Sequence, residues 1–264
     1  MTVTTATSAG HGDQPNEDFV GAAAGTLVVV DGAGIRGAEH LCQHGVAWYA
    51  ATLGAEILNR LQRPSPGDLR DALGKAIQAV TASHITTCSV ADPSSPQASV
   101  AVVREASNQM EYLVLGDAYV VVEAASPLVI TDAREIAVRE AATQRLSTLT
   151  PGTPEHDEER RRAIETLRSQ RNHPGGYWIA KDDPRAAREA VAGSIDLRPD
   201  QCVAVLSNGA ARLVEPYRVL GWQGLFDMLE AGTPDAVLQR LRAEEERITT
   251  EPDDASVAYL RRPR

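Results

Sequence analysis

The sequence has few cysteines, little positive charge and no long hydrophobic run, and each shortage excludes a class of protein. Its three cysteines, Cys42, Cys88 and Cys202, are too few and too widely spaced for a disulfide scaffold or a CxxC site. No segment approaches the roughly 18 apolar residues that a membrane helix needs. The polar segment Met1–Gly10 lacks the basic and apolar regions of a signal peptide. We therefore expect a soluble, cytoplasmic protein with no membrane partner.

The charge balance excludes further classes. Lys and Arg number 26 against 36 Asp and Glu, a formal net charge of −10. General nucleic-acid binding is not expected, because phosphate backbones need a basic face. Neither a P-loop nor the Gly-x-Ser-x-Gly elbow of serine hydrolases occurs in the sequence. Hydrophobic residues make up 43% of the chain, enough for a sizeable core.

Acidic residues stand where strands are predicted to begin or end. They are Glu17-Asp18, Asp31, Asp117 and Asp253-Asp254. A β scaffold would hold these carboxylates while loops present them to one another, although Asp254 could simply accept hydrogen bonds from loop backbone. Oxygen-only clusters suit hard divalent ions such as Mg²⁺ or Mn²⁺ better than zinc. The pattern predicts a metal centre with one gap, at Asn208.

The first half of the chain predicts a hairpin followed by helices. Asp18–Ala22 and Thr26–Val30 have strand patterns separated by a short turn, which would bring the start of the first strand beside Asp31. Apolar residues at helical spacing then predict a helix over Glu39–Leu61. A second helix is predicted from Pro66 or Asp68 to about His84, with Ser65 and Pro66 as its cap.

Strand patterns return in the second half. Glu111–Leu115 and Tyr119–Glu123 are predicted to form a hairpin with Gly116-Asp117 at its tip. The other predicted elements are a strand at Ala98–Arg104, two helices within Arg134–Arg171, a strand at Cys202–Leu206, helices at Trp222–Leu229 and Ala236–Ile248, and a strand at Ala255–Leu260. Without repeats or a long linker, we expect a single domain, residues 1–264. The predicted class is α+β, a four-layer α-β-β-α sandwich with two central antiparallel sheets flanked by helices.

Five short motifs lie in a particular order along these elements. They are Asn16-Glu17-Asp18, Val29-Val30-Asp31-Gly32-Ala33-Gly34, Leu115-Gly116-Asp117, Ser207-Asn208-Gly209 and Pro252-Asp253-Asp254-Ala255-Ser256-Val257. In this order the chain resembles the type 2C metal-dependent serine/threonine protein phosphatases, bacterial members in particular. The family's versions are Asn-Glu-Asp, Asp-Gly-x-Gly, Gly-Asp-Ser-Arg, Ser/Thr-Asp-Gly and Asp-Asn-x-Thr-Val. The resemblance extends from about Thr5 to Leu260.

The resemblance implies a two-metal site. In that family two bridged ions hold the water that attacks the phosphate, and ions roughly 3.5–4 Å apart lower the pKa of such a water. Asp31 would bridge both ions, which makes it the central catalytic residue. The remaining implied ligands are Glu17, Asp18, the Gly32 carbonyl, Asn208, Asp253 and, at a third and looser site, Asp117. The cofactor would be Mg²⁺ or Mn²⁺, and the substrate a phosphorylated protein or a small phosphoester.

The sequence also departs from the family. Asn208 replaces a metal-binding carboxylate, and its amide oxygen brings no negative charge. Asp13 stands where many members place a phosphate-binding arginine, and Ala118-Tyr119 replaces Ser-Arg. Arg36 could bind phosphate from a different position. Two hypotheses follow: a metal-dependent phosphatase, or a catalytically impaired pseudophosphatase kept as a binding or regulatory module.

Simpler readings apply to the turn motifs. Asp31 with Gly32, and Asn208 with Gly209, could be ordinary turn formers, the second pair in a type I′ turn. His11 could act as a general acid beside the acidic residues, although a solvated loop histidine is the simpler interpretation.

Histidine and cysteine offer a second possible ligand set. His40 and His44 are one helical turn apart, as are His84 and Cys88, a spacing that can bind a transition metal. On an ideal helix Cys42 points away from His40 and His44. Without a third ligand, we interpret these residues as partly buried polar side chains.

Overall fold

The computed structural model describes residues 2–35, 37–65, 67–106, 109–198 and 201–262. The strands of this part are Thr2–Ser8 (β1), Asp18–Ala23 (β2), Thr26–Ala33 (β3), Gln97–Ala106 (β4), Gln109–Leu115 (β5), Tyr119–Val122 (β6), Leu128–Ile130 (β7), Val191–Asp196 (β8), Val203–Leu206 (β9) and Ala255–Arg261 (β10). They form two antiparallel five-stranded sheets, with the orders β1-β10-β9-β6-β7 and β2-β3-β4-β5-β8.

The described part of the chain also contains helices, and some of them cover the outer faces of the two sheets. They are Gly45–Leu61 (α1), Leu69–His84 (α2), Ala133–Thr143 (α3), Pro154–Gln170 (α4), Asn208–Ala211 (α5), Trp222–Ala231 (α6) and Pro234–Ile248 (α7). Short 3₁₀ turns occur at Glu39–Leu41, Leu146–Thr148 and Pro184–Glu189. Among the described helices, none has the length and apolar character to cross a membrane.

Strand β3 shows why four layers form. Val28 and Val30 pack in the core beneath α1 and α2, whereas Leu27 and Val29 pack in the core between the sheets. All four are fully buried, as expected for a strand covered on both faces. A third core, which includes Phe226, joins the other sheet to α6 and α7. The predicted α-β-β-α sandwich is confirmed.

The chain around Gly116-Asp117 differs from the prediction. Strand β5 pairs with β4 and β8, whereas β6 pairs with β7 and β9 in the other sheet. The predicted hairpin is therefore wrong, because this segment crosses between sheets and its flanking residues Val114 and Ala118 fill the inter-sheet core. Asp117 is consequently buried, with 7% exposure, instead of standing at a solvated tip.

Two helix starts also differ. Helix α1 begins at Gly45, where φ is +78°, and the predicted start at Glu39 is occupied by a 3₁₀ turn. Helix α2 is capped by Asp68, whose carboxylate accepts a hydrogen bond from the Asp71 backbone N–H at 2.6 Å. The predicted Ser65-Pro66 cap is wrong for this reason, and Pro66 itself lies outside the described residues.

Candidate metal centre

One rim of the sandwich collects the acidic residues. Asp18 and Asp31 face each other as direct partners on β2 and β3. Asp117 reaches the rim from the crossover between the sheets, and Asp253 precedes β10. Asn208 follows β9, the antiparallel neighbour of β10, so it lies at the same end of the sheet as Asp253. The charges of Asp18, Asp117 and Asp253 all act on Asp31, which shows that distant segments converge here.

Backbone hydrogen bonds hold the converging segments together. The Asn208 N–H donates to Oδ2 of Asp31 at 2.8 Å. The N–H groups of Gly10 and Glu17 donate to the two oxygens of Asp254 at 2.7 and 2.5 Å. Asp254 thus satisfies loop backbone donors, which was one of its expected roles, and fixes the residues that precede β2.

Two glycines allow these segments to approach closely. A Cβ on Gly32 would collide with the backbone carbonyl of Glu17, and one on Gly209 would collide with that of Asp254. Gly32 also donates its N–H to the Glu17 carbonyl at 3.1 Å. Larger residues at either position would force the backbone segments of the rim apart.

Asp18 and Asp31, the strand carboxylates, are strongly desolvated. Burial raises the pKa of Asp18 to about 7, and the nearby Ser207 and Ser256 hydroxyls oppose the rise. The two hydroxyls form their regular hydrogen bonds with other groups, and both carboxylate oxygens of Asp18 lack a hydrogen-bond partner among the described residues. Burial, followed by the charge of Asp18, raises the pKa of Asp31 well above its usual range. Burial and the charges of Asp254 and Asp253 raise the pKa of Glu17 to about 7.

Asp117 and Asp253, the arginine-paired carboxylates, have different surroundings. Asp117 accepts hydrogen bonds from Arg139 at 2.9 Å, from the Asn208 side-chain amide at 2.8 Å and from the Ser99 hydroxyl at 2.8 Å. Asp253 forms an ion pair of 2.5 Å with Arg212. Both are therefore charge-compensated by the protein itself.

The oxygen atoms around the strand carboxylates Asp18 and Asp31 are suitable ligands for a hard divalent cation. Oxygen atoms of Glu17, Asp18 and Asp31 and the Gly32 carbonyl are the ligand type that Mg²⁺ and Mn²⁺ prefer. The carboxylates are spread out, since within the described ranges no three of them bring oxygen atoms within 4.8 Å of one another. Binding would therefore draw them inward around the ion.

The structure tests several of the residue predictions made from the sequence. Asn208 opens the short helix α5, so the predicted type I′ turn is wrong. Asp31 lies within β3, so it is not a turn residue. His11 contacts exposed Glu251 at 3.5 Å. Arg36 lies outside the described residues. The metal-binding roles of the acidic residues remain predictions.

The sequence reasoning missed the residues that surround Asp117 and Asp253. Arg139 and Glu135 lie one turn apart on α3, and Arg212 follows α5. Burial and the charge of Asp117 raise the pKa of Glu135 to about 8. The i,i+4 spacing of Glu135 and Arg139 was visible in the sequence, but the contact of this helix with Asp117 depends on the tertiary fold.

A cleft of about 360 Å³ opens beside the acidic residues. Its lining includes Glu17, Gly34, Cys42, Val46, Asp253 and Asp254. This volume lies near the lower end of the range for small-molecule sites. The cleft therefore gives a small ligand or an extended side chain access to the acidic rim.

No protein-family model and no curated protein sequence matches the chain. Solved structures do match. The serine/threonine phosphatase PstP/Ppp of Mycobacterium tuberculosis has a TM-score of 0.64 at 15% identity, over 100% of this chain and 99% of that one. A PstP catalytic domain in complex with two manganese ions gives 0.62 at 16% identity, over 98% and 96% of the two chains.

A third similar structure is the PPM phosphatase MsPP of Mycobacterium smegmatis in complex with cacodylate. It gives a TM-score of 0.57 at 18% identity and covers 100% of this chain and 99% of that one. At such identities the similarity establishes the fold. The chain has the fold of bacterial PPM-type serine/threonine phosphatases, as its ordered motifs predicted.

Proposed function

We propose that this protein is a metal-dependent phosphatase-like hydrolase that cleaves a phosphoester through a water activated by bound Mg²⁺ or Mn²⁺. The substrate would be a phosphoserine or phosphothreonine protein, or a small phosphoester. The main support is that the Asp18 carboxylate has no hydrogen-bond partner in the described part of the chain. Asp18 is also the direct cross-strand partner of Asp31.

The energetic argument concerns buried charge. An ionised carboxylate away from water is costly unless a cation or hydrogen-bond donors compensate it. Burial raises the pKa of both carboxylates, and the charge of Asp18 raises the pKa of Asp31 further. A divalent cation between them would remove both penalties, which is the physical reason to place a metal ion at this point of the rim.

Each residue at the proposed metal site would have a separate role. Asp18, Asp31 and the Gly32 carbonyl would hold the ion, with Glu17 as a further ligand. Bound Mg²⁺ or Mn²⁺ would supply Lewis acidity and a more acidic water. The Asn208 backbone N–H orients the Asp31 carboxylate through its 2.8 Å hydrogen bond.

A phosphate dianion also needs cationic partners. Arg139 and Arg212 contact the site's carboxylates and have side-chain exposures of 40% and 25%. Either guanidinium could turn from its carboxylate to the substrate. This would replace the arginine that the family has at the position of Asp13.

The test is hydrolysis of an aryl phosphate by wild-type protein with Mn²⁺ and with EDTA. We expect Mn²⁺-dependent turnover that Asp31→Ala lowers about 100-fold or more, since even changes outside the ligand set commonly cost 10–100-fold. Asp13→Ala is the matched control, an exposed acid on a nearby loop, and should not lower the rate. Turnover that is independent of metal, or unaffected by Asp31→Ala, would contradict the proposal.

The alternative is a pseudophosphatase that binds a phosphorylated partner without hydrolysing it. It is favoured by Asn208, whose amide donates to Asp117, and by the arginines that already neutralise Asp117 and Asp253. Wild-type protein that binds two Mn²⁺ ions and turns over phosphoesters would exclude this alternative. The cytoplasmic location and the single domain over residues 1–264 stay predictions.

A further inference from the structure

A compact group of sulfur and nitrogen ligands lies beside the acidic rim. Sγ of Cys88 is 3.4 Å and Sγ of Cys42 is 4.0 Å from Nδ1 of His44. All three ligand atoms lie within 4.8 Å of one another. In the described ranges no other trio of His, Cys, Asp or Glu is this compact.

The local backbone explains this arrangement. Because α1 begins only at Gly45, Cys42 and His44 lie on a turn rather than on a helix, and the expectation that Cys42 points away from His44 is wrong. The Ser89 N–H donates to the Leu41 carbonyl at 2.8 Å. This bond fastens the segment of Cys88 to the segment of Cys42, although they are distant in sequence.

Aromatic neighbours orient the imidazole. The His44 ring stacks on Trp48 with centroids 4.3 Å apart, and His84 lies edge-on to Trp48 at 5.1 Å. Nδ1 of His84 contacts the Val80 carbonyl at 2.6 Å, which commits that nitrogen to its own helix. Cys42 is buried with 4% exposure, and Cys88 is partly exposed, so the group has a packed inner wall and an open outer side.

We propose that Cys42, His44 and Cys88 bind one thiophilic divalent cation, Zn²⁺ in the first place, with water at the fourth tetrahedral position. Two thiolates and an imidazole are a zinc ligand set, and two thiolates balance the charge of the dication. Binding releases the thiol protons to solvent. The acidic rim offers only oxygen ligands and selects harder ions, so the two sites would hold different metals.

The proposed site borders the cleft beside the acidic rim. Cys42 lines this cleft together with Glu17 and Asp253. A bound ion would therefore cross-link the segment of Cys42, in the cleft wall, to the segment of Cys88.

The test is a Co²⁺ titration of the reduced, metal-free protein, because Co²⁺ reports thiolate ligands through a charge-transfer band. We expect this band to saturate at one Co²⁺ per chain and to disappear when Zn²⁺ is added. Cys88→Ser and His44→Gln should each weaken binding by about 100-fold. Cys202→Ser, at the start of a strand in the other sheet, and Asp31→Ala, in the acidic rim, should leave the band unchanged.

A thermal-unfolding readout separates binding from misfolding. Zn²⁺ should raise the melting temperature of wild type and Cys202→Ser but not of Cys88→Ser or His44→Gln, whose metal-free transitions should remain cooperative. Should Cys88→Ser fail to fold, His44→Gln decides. Absence of the band in reduced wild type, or its retention in both ligand variants, would overturn the proposal.

Discussion

The two sides of the acidic rim differ in how their charge is compensated. The strand carboxylates Asp18 and Asp31 oppose each other across β2 and β3, and burial is the main reason for their raised pKa values. The arginine-paired carboxylates Asp117 and Asp253 each have a guanidinium within 2.9 Å. On our proposal only the first side needs an external cation, so we expect similar acidic residues in one rim to have different roles.

This difference between the two sides bears on both functional hypotheses, the metal-dependent phosphatase and the pseudophosphatase. A rim built for two ions would leave both sides open, whereas here arginines occupy one side. We therefore expect one strong cation site at the strand carboxylates and a weaker one that must compete with Arg139 and Arg212. We expect phosphoester hydrolysis only if Mn²⁺ can displace these arginines from Asp117 and Asp253.

The largest expected changes in stability and in Mn²⁺ affinity come from neutralising one carboxylate on each side of the acidic rim. At about pH 8 in EDTA, Asp18→Asn should raise the free energy of unfolding, because it removes a buried and uncompensated charge. Asp117→Asn should lower it by about 1–3 kcal/mol, because Arg139 and Ser99 lose an ionised acceptor. Asp18→Asn should also weaken Mn²⁺ binding by about 100-fold, and Asp117→Asn by much less.

Chemical denaturation and calorimetry measure these two quantities on the same samples. Opposite signs of the stability change would confirm that the two sides differ. If both variants destabilise the metal-free protein equally, the strand carboxylates are compensated within the chain and the comparison fails.

A smaller effect is expected from restoring a carboxylate at position 208. Asn208→Asp should increase Mn²⁺ affinity about 10-fold by adding a charged ligand. In EDTA it should destabilise the protein, because the amide hydrogen bond to Asp117 is replaced by repulsion from Asp117 and Asp31. Asn208→Ala is the control, since it removes the same bond without adding charge, and its Mn²⁺ affinity should not rise. Equal affinities of the two variants would show that position 208 does not contact the ion.

The smallest expected effect is the change in the stability of the metal-free protein with pH. The folded-state pKa values of Glu17 and Asp18 are raised to about 7, so the folded protein holds more protons than the unfolded chain between about pH 4 and 7. The metal-free protein should therefore lose stability as pH rises through that window. With screening included, we expect a loss of the order of 1–2 kcal/mol.

Thermal unfolding in EDTA at a series of pH values measures this slope. Asp18→Asn is the control that isolates it, because the substitution removes one of the raised groups and should flatten the dependence. Saturating Mn²⁺ should reverse the slope above about pH 5, where the ion competes with protons. Identical slopes for wild type and Asp18→Asn would contradict the assignment of the raised pKa.

The sequence predicted the fold class and the convergence of the acidic residues because both depend on strong local signals. Apolar runs marked the buried strands, and the hairpin register placed Asp18 opposite Asp31. The same signals failed at the edges of the sheets. Strand β1 is largely exposed and threonine-rich, and β7 has only three residues, so neither has a buried strand's pattern.

The remaining errors have tertiary causes. A local pattern cannot show that β5 and β6 belong to different sheets, so Asp117 was expected at a hairpin tip. Arg139 and Arg212 reach their carboxylates only through the packing of α3 and α5. The Cys42–His44–Cys88 group was missed because it joins distant segments and depends on where α1 begins.

The most direct test is a calorimetric titration of Mn²⁺ into the metal-free protein at about pH 8, in the Cys88→Ser background so that thiolates do not contribute. Saturable binding of at least one Mn²⁺ per chain, abolished by Asp31→Ala and retained by Asp13→Ala, is the predicted result. No saturable binding, or binding that survives Asp31→Ala, would show that the strand carboxylates do not hold a cation.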